Sequence, residues 1–152
     1  MEKQLLFEQL EKYITINDEI RSFLNDDCET IYVNKNNIIS RQDQYNRKVF
    51  FIEKGLLRSF YYTKGKDITT NFYMEGKLMA NIDTLFRNQP TRYNFETIED
   101  SVITVCNFSK LEELCENSIE CASLSRYILG NLMTQMATRI ASLQYMTAKQ
   151  KY

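Results

Sequence analysis

The sequence predicts an α+β fold in which a body of short strands lies between short N-terminal helices and one long C-terminal helix. Three observations predict it. Apolar residues recur at helical spacing over residues 1–27 and again from 109 to about 149. Between them, from Cys28 to Phe108, the period drops to that of strands. Gly55, Gly65 and Gly76 punctuate this middle region at near-equal intervals, as turns between short strands do.

Leu5, Leu6, Leu10, Tyr13 and Ile14, with Glu and Lys between them, give an amphipathic helix over residues 1–16. A second short helix follows. Asn17 is placed to cap it, Asp18 and Glu19 favour its first turn, and Ile20, Phe23 and Leu24 form its apolar stripe. In the β-region, Ile31 and Val33, then Ile38 and Ile39, then Val49-Phe50-Phe51-Ile52 mark successive strands. Lys64-Gly65-Lys66-Asp67 is the hairpin tip between Leu56–Tyr62 and Ile68–Tyr73. Pro90, the single proline, marks a loop before the alternating strand from Arg92 to Thr97. That alternation puts Arg92, Asn94 and Glu96 on a solvent face, and Thr91, Tyr93 and Phe95 on the core face.

Ser109 is expected to cap a short helix over Lys110 to Glu116, and Ser118 to open the long one. At 1.5 Å per residue that helix reaches about 45 Å, more than a small domain needs to cover its own core. Leu129, Leu132, Met136, Leu143 and Met146 step along it by threes and fours, with Arg139 interrupting. This pattern predicts a homodimer seam.

Composition narrows the function. The 152 residues are 43% hydrophobic and 26% charged, within the range of one globular domain, 1–152. There is no histidine, the commonest metal ligand and general acid or base near neutral pH, so most enzyme chemistry is disfavoured and no catalytic or metal-ligating residues are assigned. A net charge of −1 argues against a nucleic-acid surface on this chain. Cys28, Cys106, Cys115 and Cys121 are irregularly spaced and read as free thiols. No membrane-length apolar run or signal-peptide pattern occurs, so a cytoplasmic protein is expected. The ten tyrosines and nine phenylalanines lie mainly at strand positions and read as core packing rather than a base-stacking surface.

The order of these segments, with Val49-Phe50-Phe51-Ile52-Glu53-Lys54-Gly55-Leu56-Leu57-Arg58, Glu75-Gly76-Lys77-Leu78 and Ile98-Glu99-Asp100-Ser101, resembles the sensor domain of the Crp/Fnr superfamily of bacterial transcription regulators. The resemblance implies a double-stranded β-helix, or jelly-roll-like β-roll, over 28–108, with helices over 1–27 and 109–152. It also implies a homodimer built on the last helix, and DNA contact through a C-terminal winged helix-turn-helix that follows that helix in the family and is not found before Tyr152.

In members that bind cyclic AMP, a glutamate at the start of a short helix holds the ribose and an arginine some ten residues later pairs with the phosphate. A gap-free count back from Phe108-Ser109-Lys110 puts Asn81 and Thr91 at those positions, and Met136 and Ala137 where the long helix supplies hydroxyls to the base. The candidate pocket is therefore Ala80, Asn81, Ile82, Asp83, Thr91, Tyr93, Met136 and Ala137, and the candidate dimer interface Leu129, Leu132, Met136 and Leu143. No cofactor is expected, cyclic AMP included, and the effector is left as an unknown small molecule. The closely spaced N-terminal cysteines of iron–sulfur sensors and the histidine of haem sensors are both missing. A stand-alone module regulating a separate partner is the alternative, and a cupin-like jelly-roll enzyme a distant third, since it wants histidine ligands.

Overall fold

A computed structural model describes residues 3–151, the side chains of residues 146–151 excepted. Helix α1 spans Gln4–Glu11 and buries Leu6, Phe7 and Leu10, stopping short of Tyr13, which is exposed. Helix α2 (Asp18–Ser22) is capped as its sequence predicts: Asn17 Oδ1 accepts from Ile20 N at 2.8 Å. A π-helical turn, Phe23–Asp27, leads into the first strand.

Eight strands follow: β1 (Cys28–Val33), β2 (Ile38–Ser40), β3 (Lys48–Lys54), β4 (Leu56–Thr63), β5 (Lys66–Met74), β6 (Leu78–Ala80), β7 (Asn94–Thr97) and β8 (Ser101–Asn107). They form two antiparallel sheets in the orders β1-β8-β3-β6 and β2-β7-β4-β5. The unbroken apolar run of β3 follows from its place between two cores. Phe50 and Ile52 face the second sheet, packing with Leu57 and Phe95 from it and with Met79 and Ile103 from their own. Val49 and Phe51 point the other way, into a cluster with Leu6, Leu10, Phe23, Leu24, Leu124 and Ile128 from the helices. Two-residue alternation on a strand covered on both faces removes any polar position from its middle.

Two turns explain their glycines. Lys64 and Gly65 both take positive φ, 51° and 75°, the two-residue turn whose twist suits a hairpin. Gly55 has φ 113°, and a Cβ there would lie 2.8 Å from Ser101 Cα, so the β3–β4 reversal passes too close to β8 for any side chain.

Helix α3 (Ile82–Arg87) sits between β6 and β7, and α4 (Phe108–Asn117) and α5 (Ala122–Lys151) close the chain. The fold departs from the sequence pattern at four places. Cys28 and Cys106 are joined in a disulfide, leaving Cys115 and Cys121 free. The two stand directly opposite in the β1–β8 register, a proximity that no sequence spacing encodes. The cap of α4 is Asn107, accepting from Lys110 N, while Ser109 Oγ accepts from Arg47 Nε, so the helix begins at Phe108. The last helix opens at Ala122, after a turn over Ile119–Cys121, instead of at Ser118. Asn94 is only 5% exposed, because the segment after β2 folds over it: its Oδ1 accepts from Gln42 N at 2.8 Å and its Nδ2 donates to Gln42 Oε1.

Candidate functional site

A cavity of about 260 Å³ opens where the roll meets α5. Strand β6 ends in Leu78, Met79 and Ala80, and the chain then turns through Asn81 into Ile82 and Asp83 of α3, forming one wall. Thr91, Arg92, Tyr93 and Phe95 form a second, Asn71 and Tyr73 of β5 a third, and Leu132, Gln135, Met136 and Arg139 of α5 the fourth. Residues 132, 135, 136 and 139 share one helix face by their three- and four-residue spacing.

Helix α5 is fixed to the roll by Gln135, which accepts from Leu78 N at 3.0 Å and donates from Nε2 to Leu78 O at 2.9 Å. A side-chain amide thus satisfies both backbone groups of an edge-strand residue, as a neighbouring strand would.

The polar side chains are largely committed within the protein. Thr91, 1% exposed, donates its hydroxyl to Arg41 O. Asn81, 5% exposed, donates Nδ2 to Ser40 Oγ at 3.2 Å and makes no capping bond to α3. Arg92 lies on the rim with its side chain 67% exposed, and its Nε meets Asp83 Oδ2 at 2.6 Å. The solvent-facing expectation for Arg92 therefore needs correction in one respect: it is exposed, yet it borders the cavity. It stands in the loop before β7 begins, where strand alternation does not apply.

Of the expected pocket residues, Ala80, Asn81, Ile82, Asp83, Thr91, Tyr93 and Met136 line this cavity. Ala137 does not. It is exposed on another side of α5, about 100° around the helix from Met136. Asn71, Tyr73, Gln135 and Arg139 were missed, since β5 shows no pattern that marks an inward polar residue, and Arg139 read as a seam interruption.

The expected seam also needs correction. Leu132 is 6% exposed and belongs to the core beside Leu124 and Ile128, so it faces the chain's own roll. The outward apolar residues are half-buried Leu129 and then Met133, Met136, Ile140 and Leu143, each at least half exposed. Their steps of four, three, four and three residues form an unbroken heptad stripe on which Arg139 does not fall. The side chain of Met146 lies outside the described residues. Among the described residues, no group of three or more His, Cys, Asp or Glu side chains could hold a metal ion, and no helix is long and apolar enough to cross a membrane.

Two antiparallel sheets, with a cavity walled by a short helix and a long one, define a β-roll. The chain belongs to the cyclic nucleotide-binding domain family, whose model matches residues 30–118. This agrees with the sensor-domain resemblance read from the sequence. Among solved structures it is similar to the c-di-GMP-responsive global regulator CLP of Xanthomonas campestris (10% identity, 88% of this chain and 64% of that one, TM-score 0.70). It is also similar to the catabolite activator protein of Thermus thermophilus (14% identity, 84% and 60%, TM-score 0.62). A third is the EAL enzyme Bd1971 in its cAMP-bound form (18% identity, 82% and 34%, TM-score 0.53). The chain thus spans from about a third to just under two thirds of these proteins' length. No curated protein matches it by sequence.

Proposed function

We propose that the chain is the ligand-sensing and dimerising half of a Crp/Fnr-type bacterial transcription regulator, acting in the cytoplasm and touching DNA only through a winged helix-turn-helix outside this chain. The observation that carries this reading is the double use of α5, which walls the cavity with Leu132, Gln135, Met136 and Arg139 while presenting Met133, Met136, Ile140 and Leu143 outward. A ligand that shifts this helix against β6 would reorient two paired copies of it, and with them two DNA-reading modules. Such coupling needs only that the ligand prefer one helix position. The occupant of the outward stripe is a second copy of this chain, since a heptad of this length seats a like heptad.

Cyclic AMP is not the ligand in this reading. Asn81 stands where a ribose-binding carboxylate is expected, the hydroxyl of Thr91 is committed to Arg41, and Arg92 is paired with Asp83.

The EAL enzyme neighbour favours a second reading, a module of this fold controlling an activity other than DNA binding. A band-shift experiment separates the two. Residues 1–152 alone should show no sequence-selective retention of duplex DNA at physiological salt, whereas the product of the gene read on past Tyr152 should. If the longer product also lacks selective retention, the regulator reading fails and the stand-alone module is favoured.

A further inference from the structure

We infer that the roll cavity takes a small aromatic monocarboxylate, with its anionic group held by Arg139 of α5. The inference rests on the ligand-sensing reading and specifies the chemistry of that same site. Charge comes first. The cavity wall carries one carboxylate, Asp83, and two guanidinium groups, Arg92 and Arg139. Asp83 neutralises Arg92 at 2.6 Å, whereas Arg139 has no ion-pair partner among the described residues. One positive charge, partly withdrawn from solvent on the helix wall, is left over. A single carboxylate complements it, and the planar guanidinium fork matches carboxylate geometry.

Shape and polarity fix the rest of the ligand. Tyr73, Tyr93, Phe95 and Met136 are among the remaining lining residues and offer apolar surface that suits a flat ring. A volume of about 260 Å³ lies at the small end of ligand sites. At the β6–α3 wall of the cavity, Asn81 uses its amide nitrogen on Ser40 and makes no capping bond to α3, which leaves its carbonyl oxygen for a ligand hydroxyl. The carboxylate end would lie against α5 and the hydroxyl end against the β6–α3 junction. Arg139 sits one turn beyond Gln135, so a bound carboxylate adds a second tie between this helix and the roll beside the Gln135–Leu78 bonds.

Calorimetric titration of the purified protein with 4-hydroxybenzoate tests this, with 4-hydroxybenzamide, inorganic phosphate and cyclic AMP as comparisons. The carboxylate should bind saturably, and the neutral amide should bind about tenfold to a hundredfold more weakly. Arg139→Gln should weaken carboxylate binding by a similar factor and Arg139→Lys should recover part of it, with the melting temperature of each unliganded variant as the check on folding. Equal binding of amide and carboxylate, or carboxylate binding indifferent to Arg139→Gln, overturns the assignment while leaving a ligand-sensing pocket. Saturable binding of cyclic AMP alone does the same. If none of the four probes binds at millimolar concentration and native mass spectrometry finds no co-purified small molecule, both the assignment and the sensing reading fall.

Discussion

Asp83 and Arg92 close on each other as an ion pair at the rim of the roll cavity, with Arg92 Nε 2.6 Å from Asp83 Oδ2 and Arg92 Nη2 donating to Asp83 Oδ1 at 3.5 Å. The protein thereby supplies its own anion to the arginine nearest the expected phosphate position. A cyclic phosphate would have to displace Asp83 or accept burial beside it. Millimolar cyclic AMP should therefore leave the melting temperature of the wild-type protein almost unchanged, whereas a ligand at a hundred times its dissociation constant adds about 2.7 kcal/mol. In Asp83→Asn the guanidinium is released, and cyclic AMP should bind measurably better than to wild type. A rise of several degrees for wild type at micromolar cyclic AMP contradicts this account.

Gln135 ties α5 to the edge strand β6 through both backbone groups of Leu78. Gln135→Ala leaves Leu78 N–H and C=O without their partner at a partly buried site and should cost about 1–3 kcal/mol in denaturant titrations. Gln135→Glu keeps the acceptor but loses the donor to Leu78 O, so it should fall between wild type and the alanine variant or below both. An alanine variant as stable as wild type would show that α5 does not depend on this clamp.

Two carboxylates give the fold opposing acid responses. Glu53 accepts from Leu5 N and Leu6 N at the start of α1, yet burial pushes its carboxyl above the usual range and outweighs those bonds. A raised folded value means that its contribution is full below the unfolded pKa and is lost as pH rises through the folded one. Asp67 behaves oppositely, because the Arg58 guanidinium, bonded to both its oxygens at 2.7 and 2.8 Å, holds its carboxyl below the usual range. Its contribution is present above the unfolded pKa and is lost as pH falls through the folded one. The stability difference between wild type and Glu53→Gln should therefore move against wild type as pH rises from about 4 to 7. For Asp67→Asn the difference should move in favour of wild type as pH rises through the range below about 4. Denaturant melts across pH check both signs, and a reversed trend in either refutes that assignment.

Much of the fold was legible because it rests on local patterns. Asn17 is a cap by its position before Asp18 and Glu19, the Lys64-Gly65 turn by its glycine between two strands, and β3 by its apolar run. The family resemblance led to the β6–α3 stretch from Ala80 to Asp83 and to Thr91 and Tyr93. What escaped the sequence depends on long-range register and helix rotation. Cys28 meets Cys106 only because β1 pairs with β8. Leu132 and Met133 are both apolar and adjacent, and only packing on the roll decides that Leu132 turns inward. Choosing Leu132 for the seam turned Arg139 into an interruption, which hid its place in the cavity wall.

In the proposed regulator, α5 serves a cavity on one face and a second copy of the chain on another. Light scattering at tens of micromolar tests this most directly, a range in which specific dimers persist. Wild type should have twice the chain mass of 18.1 kDa, and replacing Met136 and Leu143 together by Glu should reduce it to one chain mass. A wild-type mass of 18.1 kDa under those conditions, or a double variant that remains dimeric, would rule out pairing through this helix face.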